Sequence, residues 1–426
     1  MTLQSRIIRC SAILASALAI ASCSEKLEND AGCPILCPDQ SGAVQNVTLD
    51  AVILDTTIAS ISGLGTEQGL LIASRGDSLD TRAIIRYDSL PARYQPNASD
   101  TTTAAVSLVD SAYLAMRVDT SSLKMTDPVT LEAYDVDTTY TDPAVADTST
   151  AVILQLFRPD RLIGSQVYTK TQLSDTLRFF ISNAVVLNKA QTGGRLRIGL
   201  RAKSTTSTQI RIYSAEAGAA TRLFYRVSAD TAIHPFLFTP YSKTPSGAPI
   251  LAANLADYTV IAKSPAPAPP TTLNTGGLPP RRVYFRFNIP SVIVDSSTVI
   301  RAALLLTQIP NRAIDPQDTV FVTAALVLAG KVVTDPARAS QILAEIQLEP
   351  VRMAVGDSGT RAIELAPAFG FWHNLNAEAT PRAIVLRSVF EGISPLEARF
   401  FSMEAAAGLR PKLQISYVRH VPLGLP

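Results

Sequence analysis

The chain has 426 residues and a formal net charge of +2, with 38 Lys and Arg against 36 Asp and Glu. Hydrophobic residues make up 47% and charged residues 17%, which excludes a disordered polar chain and allows cores for two or three domains. The near-neutral balance argues against a nucleic-acid partner, and Pro (28) above Gly (21) with abundant Ser and Thr favours strands over helices.

The first residues read "MTLQSRIIRCSAILASALAIASC". Arg6 and Arg9 precede an apolar stretch at 11–21 that is too short to span a bilayer. Ile20, Ala21, Ser22 and Cys23 close it. The segment resembles the leader of bacterial lipoproteins, which implies cleavage after 1–22 and lipidation of Cys23, with an ordinary signal peptide or a core helix as the bland alternative. Ser24 in place of Asp favours the outer membrane or cell surface under that resemblance. The tether at 23–45 holds Cys33 and Cys37, for which a local disulfide is the expectation in an oxidising compartment. A metal site there lacks a nearby His or a second Cys pair.

Beyond residue 45 the chain repeats itself. "TRAIIRYDSLP" from Thr81 matches "RRVYFRFNIPS" from Arg281, and "VDSAYLAMRV" from Val109 matches "VIRAALLLTQ" from Val299. "DPVTLEAYDV" from Asp127 matches "QDTVFVTAAL" from Gln317, and "GGRLRIGLRAKS" from Gly193 matches "TPRAIVLRSVF" from Thr380. "RIYSAEAGAATRLFYRV" from Arg211 matches "RFFSMEAAAGLRPKLQISYV" from Arg399. The matches keep their order at an offset near 190, which marks a tandem duplication. The matched segments alternate apolar and polar residues, as half-buried strands do. The reading is therefore all-β: two tandem jelly-roll-like β-sandwich domains, at 46–229 and 251–420. The stretch 230–250 joins them, 421–426 is a tail, and a fragment of about 240–426 is expected to fold alone. The Pro-rich 264–270 reads as a stiff loop. One helix is expected from Thr334, with Thr334 or Asp335 as its cap and Pro336 in its first turn.

Chemistry-bearing motifs are few. His234, His373 and His420 have no ligand spacing, and no nucleophile elbow, phosphate loop or dinucleotide fingerprint occurs. Asp135 and Asp137 share a strand face and are a weak Ca²⁺ candidate, against the plainer reading of a solvated strand end. No other metal and no cofactor is called for. Trp372 and His373 are a weak ligand-binding pair, against the plainer reading of a filled core edge. Both halves keep a Glu after a Ser, at Ser214 and Glu216 and at Ser402 and Glu404. Both keep an early Arg, at 86 and 286. If first and last strands pair, Arg86–Glu216 and Arg286–Glu404 are structural ion pairs, with Arg222 and Arg410 as alternative partners.

The residues "RVYFRFNIP" (282–290), "IRAALLL" (300–306) and "FFSMEAAAGLRPKLQISYV" (400–418) resemble a secreted bacterial β-sandwich family named for its DNRLRE signature. "RAIIRYDSLP" and "IYSAEAGAATRLFYRV" resemble it more loosely. The resemblance implies a module outside the cytoplasm, carbohydrate-binding-module-like, in a tandem surface lipoprotein. Members usually carry two Trp in the loop after the hairpin to which the strand matching "IRAALLL" belongs; here the one Trp, Trp372, stands elsewhere. The expected function is non-catalytic: a lipid-anchored envelope protein that binds polysaccharide or another envelope protein, or that acts as envelope structure. The alternative is a polysaccharide lyase or hydrolase whose carboxylates meet only in three dimensions, ~5–10 Å apart in the hydrolase case.

Overall fold

The computed structural model describes residues 43–420 apart from 61–64, 97–100, 138–149, 193, 228–235, 244–255, 265–268, 270, 312–314, 316, 345–347 and 375–379. Cys23, Cys33, Cys37, the leader at 1–22, the tail at 421–426, His234 and part of the 230–250 join lie outside the described residues.

The protein is all-β. Its strands are β1 (Gln45–Leu49), β2 (Val52–Ala59), β3 (Gly69–Arg75), β4 (Leu79–Asp88), β5 (Arg93–Tyr94), β6 (Ala104–Ala105), β7 (Ser111–Arg117) and β8 (Val129–Asp135). There follow β9 (Leu162–Tyr168), β10 (Thr176–Phe180), β11 (Arg195–Lys203), β12 (Thr208–Tyr213), β13 (Arg222–Arg226), β14 (Phe236–Phe238), β15 (Asp257–Lys263) and β16 (Thr272–Gly276). The last are β17 (Arg281–Phe287), β18 (Ser297–Ile309), β19 (Thr319–Leu326), β20 (Val351–Ala354), β21 (Gly359–Glu364), β22 (Ala383–Ser388), β23 (Glu397–Phe401) and β24 (Lys412–Arg419). Two helices, Asn183–Gln191 and Ala366–His373, hold equivalent places between β10 and β11 and between β21 and β22.

Apart from the small β5–β6 pair, the strands form two sets with one wiring. In the first, β12-β3-β4-β11-β8-β9 form one sheet with β15 beside β4, and β10-β7-β13-β14 form the other. In the second, the order is β1-β24-β18-β23-β16-β17-β22-β19-β20, with β2 beside β17 and β21 beside β18. Strands β16 to β24 take the places of β3, β4 and β7 to β13 in order, and β1 and β2 take the places of β14 and β15. Alternate residues of both sheets in the first set enter one core, with Leu114, Phe179, Ile198 and Tyr225 essentially inaccessible. Val283, Phe285, Leu304, Ile384 and Phe400 do the same in the second. This is the layered logic of a β-sandwich, in which apolar faces meet. Strand β4, expected to be half-buried, is instead buried on both faces, because β15 and neighbouring segments cover its polar side, Arg82 and Arg86 included.

The pairing crosses the boundaries expected at 46–229 and 251–420. Strands β1 and β2 open the chain but pair with β24 and β17, near its end. Strand β15, expected to begin the second domain, pairs with β4 of the first half. One set is thus continuous from β3 to β15, and it sits between the two chain segments that build the other. The β16–β17 turn ties them together: Leu278 packs on Leu71, Ala73 and Leu79 of the first set. Arg211 lies over the Phe390 ring at 4.9 Å, and Lys124 pairs with Asp318.

The helix expected from Thr334 is a single turn, Pro336–Ala339. Asp335 caps it by accepting from the Ala337 N–H at 2.9 Å. The Ser340 hydroxyl then donates back to the Ala337 carbonyl, and Leu343 bridges to Val327 of the sheet region, which draws the following residues out of the helix.

Candidate ligand-binding face

The outer face of the β10-β7-β13-β14 sheet carries an ordered set of side chains. Period-two alternation in "SAYLAMR" turns Ala112, Leu114 and Met116 inward and Tyr113, Ala115 and Arg117 outward. Strand β10 turns Arg178 and Phe180 outward, and β13 turns Arg222, Phe224 and Arg226 outward. Register then aligns them. Phe180 stands opposite Tyr113, Tyr113 opposite Phe224, and Phe224 opposite Leu237. The result is a transverse row, Phe180–Tyr113–Phe224–Leu237.

Tyr113 and Phe224 stack with centroids 4.3 Å apart, and Tyr113 meets Phe180 edge-on at 5.7 Å. Phe180 remains 53% exposed and Leu237 51%. The next row places Arg178 and Arg222 on either side of Ala115. Strand spacing sets these two arginines about 10 Å apart at the backbone, in a row about 7 Å from the aromatic one. Arg178 lies over the Tyr113 ring at 5.3 Å. Arg117 and Arg226, at the margins, pair with Asp175 and Asp110. Neither Arg178 nor Arg222 has a carboxylate partner among the described residues. The face therefore offers apolar ring surface beside two guanidinium groups whose charge is uncompensated.

The second strand set shows what the scaffold itself requires at these places. Its corresponding row is Glu364–Ala303–Gln414–Thr48. A sandwich of this wiring closes equally well with polar and small residues there, so packing does not dictate the aromatic row. The sequence hints at it in the outward positions of "AYLA", "LRFF" and "RLFYR", but only the register of three strands, spread over more than a hundred residues, brings them together.

The residues expected to act from sequence are placed differently. Trp372 is 1% exposed, packed against Phe287 and Phe369 at 5.8 and 5.2 Å, so no ring face is open to a ligand. His373 Nδ1 lies 2.9 Å from the Val294 carbonyl oxygen. The pair is a core edge. Asp135 and Asp137 both meet Lys189 Nζ at 3.0 Å, and Arg195 also meets Asp137. Burial pushes the Asp137 carboxyl up, but hydrogen bonds and charge from Arg195 and Lys189 outweigh it and hold it below the ordinary range. Cations of the protein thus fill the place proposed for Ca²⁺, and no cluster of three or more metal-ligating side chains occurs among the described residues.

The two expected ion pairs do not form. Arg86 is buried and approaches Asp88 at 3.6 Å, while Glu216 and Glu404 are exposed in turns and make no salt bridge among the described residues. The reason is topological. The early strands β4 and β17 are flanked by β11 with β15 and by β22 with β2, so the final strands never reach them. An unforeseen pair of aspartates serves these turns instead. Asp257 Oδ2 accepts from the Ala215 N–H at 2.9 Å, and Asp55 Oδ2 accepts from the Met403 N–H at 2.8 Å. Asp257 stands opposite Ile85 and Asp55 opposite Phe285, which are matching positions of the repeat. Arg222 lies on the exposed face described above, and Arg410 donates to the Ala405 carbonyl.

No family model matches the chain, and no curated protein matches it. Among solved structures, a chain titled "Structure of infectious bursal disease virus Gt strain" is 10% identical, over 91% of this chain and 78% of that one, with a TM-score of 0.13. A score of that size carries no argument about fold or function.

Proposed function

We propose that the protein is a non-catalytic, lipid-anchored envelope protein that binds a glycan on the outer face of the β10-β7-β13-β14 sheet. The observation that supports this most is the contrast between Phe180–Tyr113–Phe224–Leu237 and the Glu364–Ala303–Gln414–Thr48 row at the same register. An exposed Phe180 ring and the part-exposed rings of Tyr113 and Phe224, which the fold does not need, suit the apolar faces of sugar rings. Arg178 and Arg222 suit the hydroxyl or acidic groups that such a ring presents to its side. The likeness to the DNRLRE-type sandwich family and the lipoprotein-like leader support an exported, outer-membrane or surface location.

The enzymatic alternative would rest on Asp55 and Glu404, two carboxylates beside one cleft. Asp257 makes the same backbone hydrogen bond while wholly buried, so the duty shared by both aspartates is to hold a turn. A glycan-array screen followed by titration tests the binding reading. Phe224→Ala is expected to weaken the best glycan about tenfold or more while the chain still melts cooperatively. Undiminished binding, or an array with no hits, would overturn it.

A further inference from the structure

The second strand set contains a cleft of about 1030 Å³ along β2. Asp55 and Glu404 lie at one end and Arg281 at the other, with Thr57 and Asn274 between. Asp55 stands opposite Phe285 and Ala59 opposite Arg281, so the two ends are four residues, or about 13 Å, apart along the strand. Neither carboxylate nor Arg281 has a salt-bridge partner among the described residues. Burial, and then the neighbouring Glu404, push the Asp55 carboxyl up to about 6 against the Met403 hydrogen bond.

Asn274 is the second, independent sign of a site. It is 1% exposed and lines the cleft, yet its side-chain oxygen has no hydrogen-bond partner. A buried side-chain oxygen left without a hydrogen bond is unfavourable unless something answers it. The first strand set provides the control. Thr259 there accepts from the Leu71 N–H, as Thr57 accepts from the Asn274 N–H, so Leu71 is the counterpart of Asn274. Leu71 is wholly buried, and the corresponding space is closed by Leu278 from the β16–β17 turn. One copy of the cleft is thus closed by Leu278 from a turn of this chain, and the other is open, polar and bipolar.

We propose that the open cleft binds an extended peptide segment of a partner protein that carries a basic and an acidic side chain about four residues apart. The base meets Asp55 and Glu404, the acid meets Arg281, and the Asn274 carboxamide, donor and acceptor at once, pairs with a peptide group between them. The proposal is independent of glycan binding at the other sheet.

The test is fluorescence anisotropy with the full chain and three labelled peptides: Lys-Ser-Gly-Ser-Glu, its reverse Glu-Ser-Gly-Ser-Lys, and the neutral Gln-Ser-Gly-Ser-Gln. One charged peptide is expected to saturate below about 1 mM, and the neutral one to bind about tenfold weaker or less. Asn274→Leu, which installs the residue of the filled copy, should abolish binding. Arg281→Gln, at the mouth, should weaken it about tenfold and decides the matter if Asn274→Leu fails to fold. Phe224→Ala should leave it unchanged. The idea is overturned if neither charged peptide saturates, if the neutral peptide binds equally, if Arg281→Gln binds as the native chain does, or if a glycan from the array displaces the peptide.

Discussion

Asp257 is 0% exposed, and burial first, then the nearby Glu216 and Glu67, push its carboxyl up to about 7 despite the hydrogen bond from the Ala215 N–H. A carboxyl whose folded value exceeds its unfolded value of about 4 favours folding while protonated. That contribution is complete below about pH 4 and is lost as pH rises through about 7. Asparagine keeps an oxygen acceptor for the Ala215 N–H and cannot ionise. Asp257→Asn should therefore melt close to the native protein at pH 4 and roughly 5 °C above it at pH 8. Thermal melts at both values check this; a difference that does not grow with pH would show that the buried carboxyl carries no such cost. At this scale the sequence was only half legible. The repeated Ser-x-Glu is visible, and so is the need to hold it. The aspartate that holds each turn lies outside the matched segments, and its partner is a backbone N–H, which leaves no signature in side-chain spacing.

The β16–β17 turn shows how an element of the second strand set covers a strand of the first. Gly276 and Gly277 have φ of +87° and +80°. A Cβ at Gly276 would lie 2.5 Å from the Leu396 carbonyl oxygen, so the turn is held to glycine by backbone angle and by contact. The turn delivers Leu278, 5% exposed, onto Leu71, Ala73 and Leu79 of the other strand set. Leu278→Ala should cost about 2–3 kcal/mol, and the cost should be felt away from its own sheet. Hydrogen exchange is expected to quicken in Gly69–Arg75, whose strand the side chain covers, and to stay slow in β17. Exchange that quickens only around residues 272–287 would show that the contact is incidental. Strand identity was readable here from alternation, as in "RVYFRF" and "RAIIRY". Which strands a turn residue covers was not, because a leucine between glycines and prolines has the same local pattern in either setting.

At the scale of the molecule, duplication explains both why the fold was legible and why its boundaries were not. Two matched halves foretell matched strand sets, but they also make first strands interchangeable. Thr57 on β2 and Thr259 on β15 each accept a backbone N–H of a neighbouring strand, and Asp55 and Asp257 each hold a Ser-x-Glu turn. In the molecule, β1 and β2 complete the later set, which leaves β14 and β15 to complete the earlier one. Fragments cut at the apparent repeat boundary should therefore fail, and fragments cut by pairing should succeed. A fragment of residues 240–426 lacks β1 and β2, exposes the open edges of β17 and β24, and keeps β15 with nothing to pair against. It should show a flat near-UV circular dichroism signal and no cooperative melt. Residues 65–264, which hold every strand of the first set, should melt cooperatively alone. Residues 269–420 should gain a cooperative transition only when a peptide of residues 43–60 is added, since that peptide brings both missing strands and Asp55. Native-like melting of 240–426 without the peptide would mean that β1 and β2 are dispensable, and the crossed pairing would then not be what completes the second strand set.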